Sequence, residues 1–135
     1  MKVAVSSDDK VTIRKGHFGE GKYFLVFTTQ GTNILTEEVR ENRTAETGEH
    51  EARAPQVMQL LPDVKVLIGR SMGRHSVSKI VAKGKLPLLT QIESAQEAVQ
   101  AFLNGEREKF WGWDEEKEKF VPLGAEPEKK QGSAK

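Results

Sequence analysis

The chain has 135 residues, with 21 basic and 20 acidic side chains, a formal net charge of +1 and no cysteine. This length suits one domain with its own hydrophobic core. The lack of cysteine excludes disulfides, thiolate ligands and a thiol nucleophile. The balanced charge and the absence of a long apolar run predict no nucleic-acid partner and no membrane span. Met1–Val5 lacks the apolar region of a signal peptide, so we expect a cytoplasmic protein.

The first part of the chain predicts a strand followed by a β-hairpin. Lys2–Ser6 is rich in valine and alternates polar with apolar residues, which is typical of a strand. Arg14–Gly21 holds three glycines and predicts a loop. Lys22–Thr29 strongly favours extended structure, and Thr32–Val39 is predicted to return beside it as the second arm of a hairpin.

The second part predicts alternating helices and strands. After a polar loop at Arg40–Arg53, the run Val64–Ile68 indicates a strand that is buried on both faces. A helix is expected from Arg74 to Lys83 and a short strand at Lys85–Leu89. A last helix begins at the capping box of Ser94 and Glu97 and ends at Gly105. The order predicts an α/β fold with a mixed sheet of about five strands flanked by helices.

The last 30 residues differ from the rest in composition. Glu106–Lys135 holds eight acidic and seven basic residues, and aromatic side chains flank a turn at Asp114–Lys119 that is predicted to form a small hairpin. Pro127–Lys135 is expected to be disordered. We therefore predict two parts: an α/β domain over residues 1–105 and a charged, aromatic C-terminal extension over residues 106–135.

Two glycine-containing loops are candidate ligand sites. In the first loop, glycine beside His17, Phe18 and Gly19 allows the backbone to approach a ligand closely. The second loop joins a buried strand to a helix, where open α/β sheets bind ligands and where free N–H groups favour anions. An ordinary solvated turn is the alternative for it. Its candidate ligand-binding residues are Gly69, Arg70, Ser71, Met72, Gly73 and Arg74.

The candidate metal ligands are His17, His50 and His75. They are far apart in sequence and form no short metal-binding motif, so each could equally be a surface residue. A different hypothesis is a metal-dependent nuclease, in which Asp8 and Glu37 or Glu38 converge on divalent ions. A third hypothesis is an interaction module without a cofactor that uses the aromatic C-terminal segment.

Taken together, these motifs resemble the dinitrogenase iron–molybdenum cofactor biosynthesis family over about residues 1–105. The resemblance rests on the order and spacing of short motifs. They are Met1–Val5 with Ser6-Ser7-Asp8, His17-Phe18-Gly19, Phe24, Arg40 with Asn42 and His50, Gly69 with Met72-Gly73, Gly84, and Glu97-Ala98 with Leu103 and Gly105.

The resemblance implies a ribonuclease H-like α/β fold without nuclease activity, and we expect a carrier with no catalytic turnover. It also implies binding of an iron–sulfur or iron–molybdenum type cluster, or its precursor, in connection with nitrogen fixation. His17 is the ligand that carries over most directly from the family. The implied partners are the anionic cluster and a cluster-synthesis or nitrogenase-type protein, with a homodimer left open.

Overall fold

Seven strands form one mixed sheet in the computed structural model, which describes residues 1–43 and 57–124. The strands are β1 (Lys2–Ser7), β2 (Tyr23–Gln30), β3 (Asn33–Glu41), β4 (Val66–Gly69), β5 (Leu86–Thr90), β6 (Phe110–Asp114) and β7 (Lys119–Pro122). Their spatial order is β3-β2-β1-β4-β5-β6-β7, in which β4 runs parallel to β1 and β5, and all other neighbours are antiparallel.

Among the described residues, two nine-residue α-helices cover the sheet: α1 (Arg74–Ala82) and α2 (Ala95–Leu103). The start of α2 is fixed as predicted, because the Ser94 side chain accepts a hydrogen bond from the Glu97 backbone N–H at 3.1 Å. Residues 57–60 are also helical. None of the helices in the described residues has the length and apolar character needed to cross a bilayer.

The core has one apolar layer on each face of the sheet because side chains alternate along the strands. Val3 and Val5 of β1 pack in the layer that includes α2, whereas Ala4 packs in the layer that includes Val77 and Ile80 of α1. The α/β class with a mixed, helix-flanked sheet is therefore confirmed.

The expected strand count of five was wrong, because the segment after residue 105 adds two strands to the sheet. β6 pairs with β5, and the Phe110 side chain is buried in the layer that includes α2. The predicted hairpin around residues 114–119 is confirmed by the β6–β7 pairing. The division at residue 105 stays a prediction. The predicted loop at residues 40–53 lies mostly outside the described residues, but Arg40 and Glu41 continue β3.

Candidate functional site

The two glycine-containing loops meet at the edge of the sheet where the parallel strands β1, β4 and β5 end. His17 and Ser71 form an isolated parallel β-bridge, and the Phe18 backbone N–H donates to the Ser71 carbonyl at 2.8 Å. The carboxyl ends of parallel strands lie at one edge of a sheet, so loops that follow them come together. The sequence thus places both predicted loops in one site.

A cavity of about 560 Å³ opens beside this contact, and we call it the main cavity. This volume lies in the range of small-molecule and cofactor sites. Both predicted loops and the first turns of α1 contribute to its walls. The cavity is lined by His17, Phe18, Gly19, Glu20, Val57, Met58, Met72, Gly73, Arg74, His75, Ser76, Lys79 and Ile80.

The floor of the main cavity is apolar and rigid. Phe18 is buried and stacks on Phe24 with ring centroids 5.1 Å apart. Gly69 lies directly under Phe18, since a Cβ on this glycine would stand 3.2 Å from the Phe18 Cδ1 atom. Met72 and Ile80 are also buried. A guest in this cavity therefore gives up contact with water on its inner side.

The rim of the main cavity is basic. Arg74, His75 and Lys79 are exposed, and none of them forms an ion pair with another described residue. The acidic side chain in the lining, Glu20, lies 3.6 Å from Arg14 Nη2. Exposed cations above an apolar floor favour a guest that is anionic and bulky.

The loop that carries His17 is fixed from below by Asn42. The Asn42 side-chain amide donates to the carbonyl of Gly19 at 2.9 Å and to the carbonyl of Gly21 at 2.7 Å. Gly21 lies so close to β1 that an added Cβ would be 2.1 Å from Ser6 Oγ. The loop therefore presents His17 from a fixed backbone.

The imidazole of His17 makes one direct contact with the second loop. Its Nδ1 atom lies 3.0 Å from Ser71 Oγ, which is hydrogen-bonding distance. Nε2 is the ring nitrogen that remains for a ligand. His75 lies on the first turn of α1 and lines the same cavity. Two of the three predicted metal-ligand histidines thus share one site, and His50 lies outside the described residues.

The other predicted ligand-binding residues divide between two places. Phe18, Gly19, Met72, Gly73 and Arg74 line the main cavity, and Gly69 and Ser71 support it from behind. Arg70 instead lines a second cavity of about 370 Å³ at the same edge, with Asp8, Asp9, Thr12, Ile13, Arg14, Lys15 and Glu93. The structure brings the predicted loops together but turns Arg70 away from the main cavity.

Several lining residues were not predicted from the sequence. Ser76, Lys79 and Ile80 lie on one side of α1, and the spacing of His75 and Lys79, four residues apart, was a usable signal because such residues share a helix face. Val57 and Met58 come from the helical segment before β4 and had no such signal. The anchoring role of Asn42 was also not predicted.

The two aspartates of the second cavity are engaged by neighbouring groups of the fold. Asp8 Oδ2 lies 2.7 Å from Arg14 Nη1. Hydrogen bonds from the backbone N–H groups of Thr12 and Val11 hold the pKa of Asp9 well below its usual range. These contacts fix the turn after β1.

The carboxylates of the nuclease hypothesis do not converge. Glu37 and Glu38 pair with Phe27 and Val26 in the middle of β2, while Asp8 accepts a hydrogen bond from the Lys22 backbone N–H before β2 begins. Four strand residues separate the two levels, which is about 13 Å. Within residues 1–43 and 57–124, no group of three His, Cys, Asp or Glu side chains could hold a metal ion.

A family of known proteins matches most of this chain. The sequence model of the family described as dinitrogenase iron-molybdenum cofactor matches residues 1–105. The strands β6 and β7 follow the matched segment. No curated protein matches this sequence.

Solved structures share the fold. The apo form of the orange protein from Desulfovibrio gigas has a TM-score of 0.64 at 18% identity, covering 78% of this chain and 88% of that chain. A dinitrogenase candidate from Methanocaldococcus jannaschii has a TM-score of 0.59 at 21% identity, covering 78% and 90%. A NifB candidate from Thermotoga has a TM-score of 0.58 at 25% identity, covering 77% and 88%.

Proposed function

The chain belongs to the dinitrogenase iron-molybdenum cofactor family, and from this premise we propose that it is a non-catalytic carrier for an iron–molybdenum or iron–sulfur type cluster or its precursor. The proposed binding site is the main cavity, and the cluster is cargo that is bound and then released. The proposal retains the sequence-based expectation of a cytoplasmic protein.

The observation that supports this proposal is the combination of an apolar floor with a basic rim, which has no ion pair among the described residues, in a cavity of about 560 Å³. A single oxyanion is only a few times larger than the roughly 30 Å³ share of one water molecule, so it would leave most of the cavity to solvent. A multinuclear cluster is larger, carries negative charge and exposes polarisable sulfide to the apolar floor. Arg74 and Lys79 supply the attraction for an anion.

The available donors suit reversible binding. His17 and His75 offer imidazole nitrogens, and Met72 offers a thioether, whereas the chain has no thiolate. A cluster held by few protein ligands is released more readily than one held by several thiolates. His50 remains a proposed third ligand, and Arg70 a proposed contributor from beside the cavity.

The proposed partner is a cluster-synthesis or nitrogenase-type protein that delivers or receives the cargo. The family description and the names of two structural relatives, a dinitrogenase candidate and a NifB candidate, support this class of partner. A homodimer is compatible with the proposal, since the main cavity is formed within one chain.

The proposal is tested by titrating the apo protein anaerobically with extracted iron–molybdenum cofactor and, separately, with a thiomolybdate, followed by visible absorbance. We expect His17→Ala to bind the cofactor roughly 10-fold or more weakly, about 1.4 kcal/mol per factor of ten. We expect little change in the free energy of unfolding, because His17 is exposed. The matched control is Lys15→Ala. Lys15 is an exposed residue of the same loop, but it lines the second cavity and not the main cavity.

Equal affinity of the parent and His17→Ala would overturn the role of His17. Failure of the parent to bind either compound would overturn the carrier function itself. Cleavage of nucleic acid by the parent with magnesium would instead favour the nuclease hypothesis.

A further inference from the structure

The contact between His17 and Ser71 joins two loops that are already held together by their backbones. The Phe18 N–H donates to the Ser71 carbonyl at 2.8 Å, and His17 and Ser71 form a parallel bridge. The hydrogen bond between Ser71 Oγ and His17 Nδ1, at 3.0 Å, is added to this frame. Removing the hydroxyl would therefore leave the backbone contact in place.

A neutral imidazole carries a proton on one ring nitrogen and a lone pair on the other, and the hydrogen bond at one nitrogen selects the state of the other. Ser71 is half-buried and can accept the Nδ1–H while its own hydroxyl proton reaches solvent. In that arrangement Nε2 has a free lone pair. Nε2 of His17 has no hydrogen-bond partner among the described residues, and the ring lines the main cavity.

We propose that Ser71 is a positioning residue that accepts the Nδ1–H of His17 and thereby presents the Nε2 lone pair to a metal atom of the cargo. This inference rests on the proposed carrier function, because a metal-containing guest is what a free lone pair would bind. It adds a specific requirement: the cargo needs a metal site that can accept an imidazole nitrogen, and not only a sulfide surface.

Helix α1 offers a control for Ser71. Ser78 lies on α1 outside the lining of both cavities, and among the described residues no hydrogen bond joins Ser78 to His17. Ser78 is exposed, whereas Ser71 is half-buried. Each alanine variant loses one hydroxyl, so a difference between Ser71→Ala and Ser78→Ala is attributed to the hydrogen bond with the imidazole.

The first measurement is made on the apo protein, full chain, labelled with ¹⁵N. Long-range ¹H–¹⁵N correlation of the histidine rings distinguishes the Nδ1–H from the Nε2–H tautomer at a pH where His17 is neutral. We expect the Nδ1–H form in the parent, in Ser78→Ala and in Ser71→Thr, which keeps a hydroxyl. We expect a shift towards Nε2–H in Ser71→Ala. An Nε2–H parent, or a Ser71→Ala variant with an unchanged tautomer, would overturn the proposal.

The second measurement is the affinity of each variant for extracted iron–molybdenum cofactor. Loss of a hydrogen-bond partner of a ligating histidine typically weakens metal binding by about 10- to 100-fold. We expect a loss in that range for Ser71→Ala, recovery in Ser71→Thr and parental affinity for Ser78→Ala. Parental affinity in Ser71→Ala would overturn the proposal. If no variant and no parent binds the cofactor, the carrier function fails, and the tautomer of the apo protein still decides whether Ser71 positions His17.

Discussion

Two cavities open at the same edge of the sheet, and they differ in the balance of their charged side chains: acidic residues match the basic ones in the second cavity, whereas basic residues prevail in the main cavity. In the second cavity, Asp8 is paired with Arg14, and Asp9 accepts backbone hydrogen bonds from its own turn. In the main cavity, Arg74 and Lys79 have no ion-pair partner within the described part of the chain.

This difference indicates which cavity is shaped for a guest. A charge that is already paired within the fold is stabilised by that pair, so a guest gains little from meeting it. An unpaired, exposed charge beside an apolar floor keeps its electrostatic attraction for a ligand. Paired charges should therefore control stability and its pH dependence, and unpaired charges should control binding and its salt dependence.

The largest expected effect is a loss of stability caused by overpacking the loop between the two cavities. Gly21→Ala would place a Cβ 2.1 Å from Ser6 Oγ and 3.3 Å from the Ser7 backbone nitrogen, in a buried region next to the wall of the main cavity. Overpacking of this kind costs about 1–3 kcal/mol. We expect a loss in the upper part of that range, measured by urea denaturation.

The matched variants locate the cause of this loss. In Gly16→Ala the new Cβ meets the guanidinium of Arg14 at 3.1 Å, the end of a flexible side chain, so we expect a loss below about 1 kcal/mol. Ser6 Oγ is buried without a hydrogen-bond partner in the described residues. The double variant Ser6→Ala/Gly21→Ala should therefore recover most of the stability. Equal losses of stability in Gly16→Ala and Gly21→Ala would show that the close approach of the new Cβ to Ser6 is not the cause.

The next largest effect concerns cofactor affinity and compares the basic side chains at the rims of the two cavities. In Arg74→Gln/Lys79→Gln, we expect the affinity for extracted iron–molybdenum cofactor to fall by about tenfold at low salt, because two unpaired cations are lost. The dependence of affinity on salt concentration should also become weaker. The free energy of unfolding should change little, since neither side chain has an ion-pair partner among the described residues.

The control for this result is Arg14→Gln, which removes a paired cation from the second cavity. It should leave cofactor affinity and salt dependence unchanged while lowering stability. A loss of affinity in Arg14→Gln as large as in Arg74→Gln/Lys79→Gln would mean that both cavities attract the guest, and the contrast between them would no longer hold.

Each of the two candidate loops could be identified from the sequence because local rules set its features. The apolar run at residues 64–68 and the glycine that follows it indicated a strand buried on both faces with a loop at its end, and the His17 loop follows β1 at the same edge. Ser94 and Glu97 marked the start of α2 correctly. These signals depend on neighbouring residues and not on distant pairing.

The missed features depend on distant pairing or on side-chain direction. The segment after residue 105 was identified as a hairpin, but its pairing with β5 joins Leu88 to Gly112, and no local pattern specifies such a register. Asn42 acts on loop carbonyls that lie more than 20 residues earlier in the chain. Arg70 follows a strand directly, and the direction of its side chain is set by the path of the loop, which composition does not reveal.

The smallest expected effect tests what a paired charge contributes. Asp63 follows the helical residues 57–60 and accepts hydrogen bonds from both terminal nitrogens of Arg40 at 2.8 Å and from Lys2 at 3.1 Å. The Arg40 guanidinium, and then Lys2, hold the pKa of Asp63 well below its usual range. The folded-state pKa is depressed, so this stabilisation is complete above the unfolded pKa of about 3.9 and is lost as the pH falls towards the folded value.

Asp63→Asn should therefore be less stable than the parent at pH 7 by about 1 kcal/mol, a value reduced for the partial exposure of the pair. The difference in the free energy of unfolding between the two proteins should narrow below about pH 4, where Asp63 begins to be protonated in the unfolded parent. Urea denaturation of both proteins at pH 7 and pH 3 measures this. Asp9 also has a depressed pKa, but it is present in both proteins and cancels from the difference. An equal gap at both pH values would show that the loss comes from packing. Because Asp63 does not line the main cavity, Asp63→Asn should bind the cofactor at pH 7 as tightly as the parent. Arg74→Gln/Lys79→Gln should show the opposite pattern, with weaker cofactor binding and little change in the free energy of unfolding.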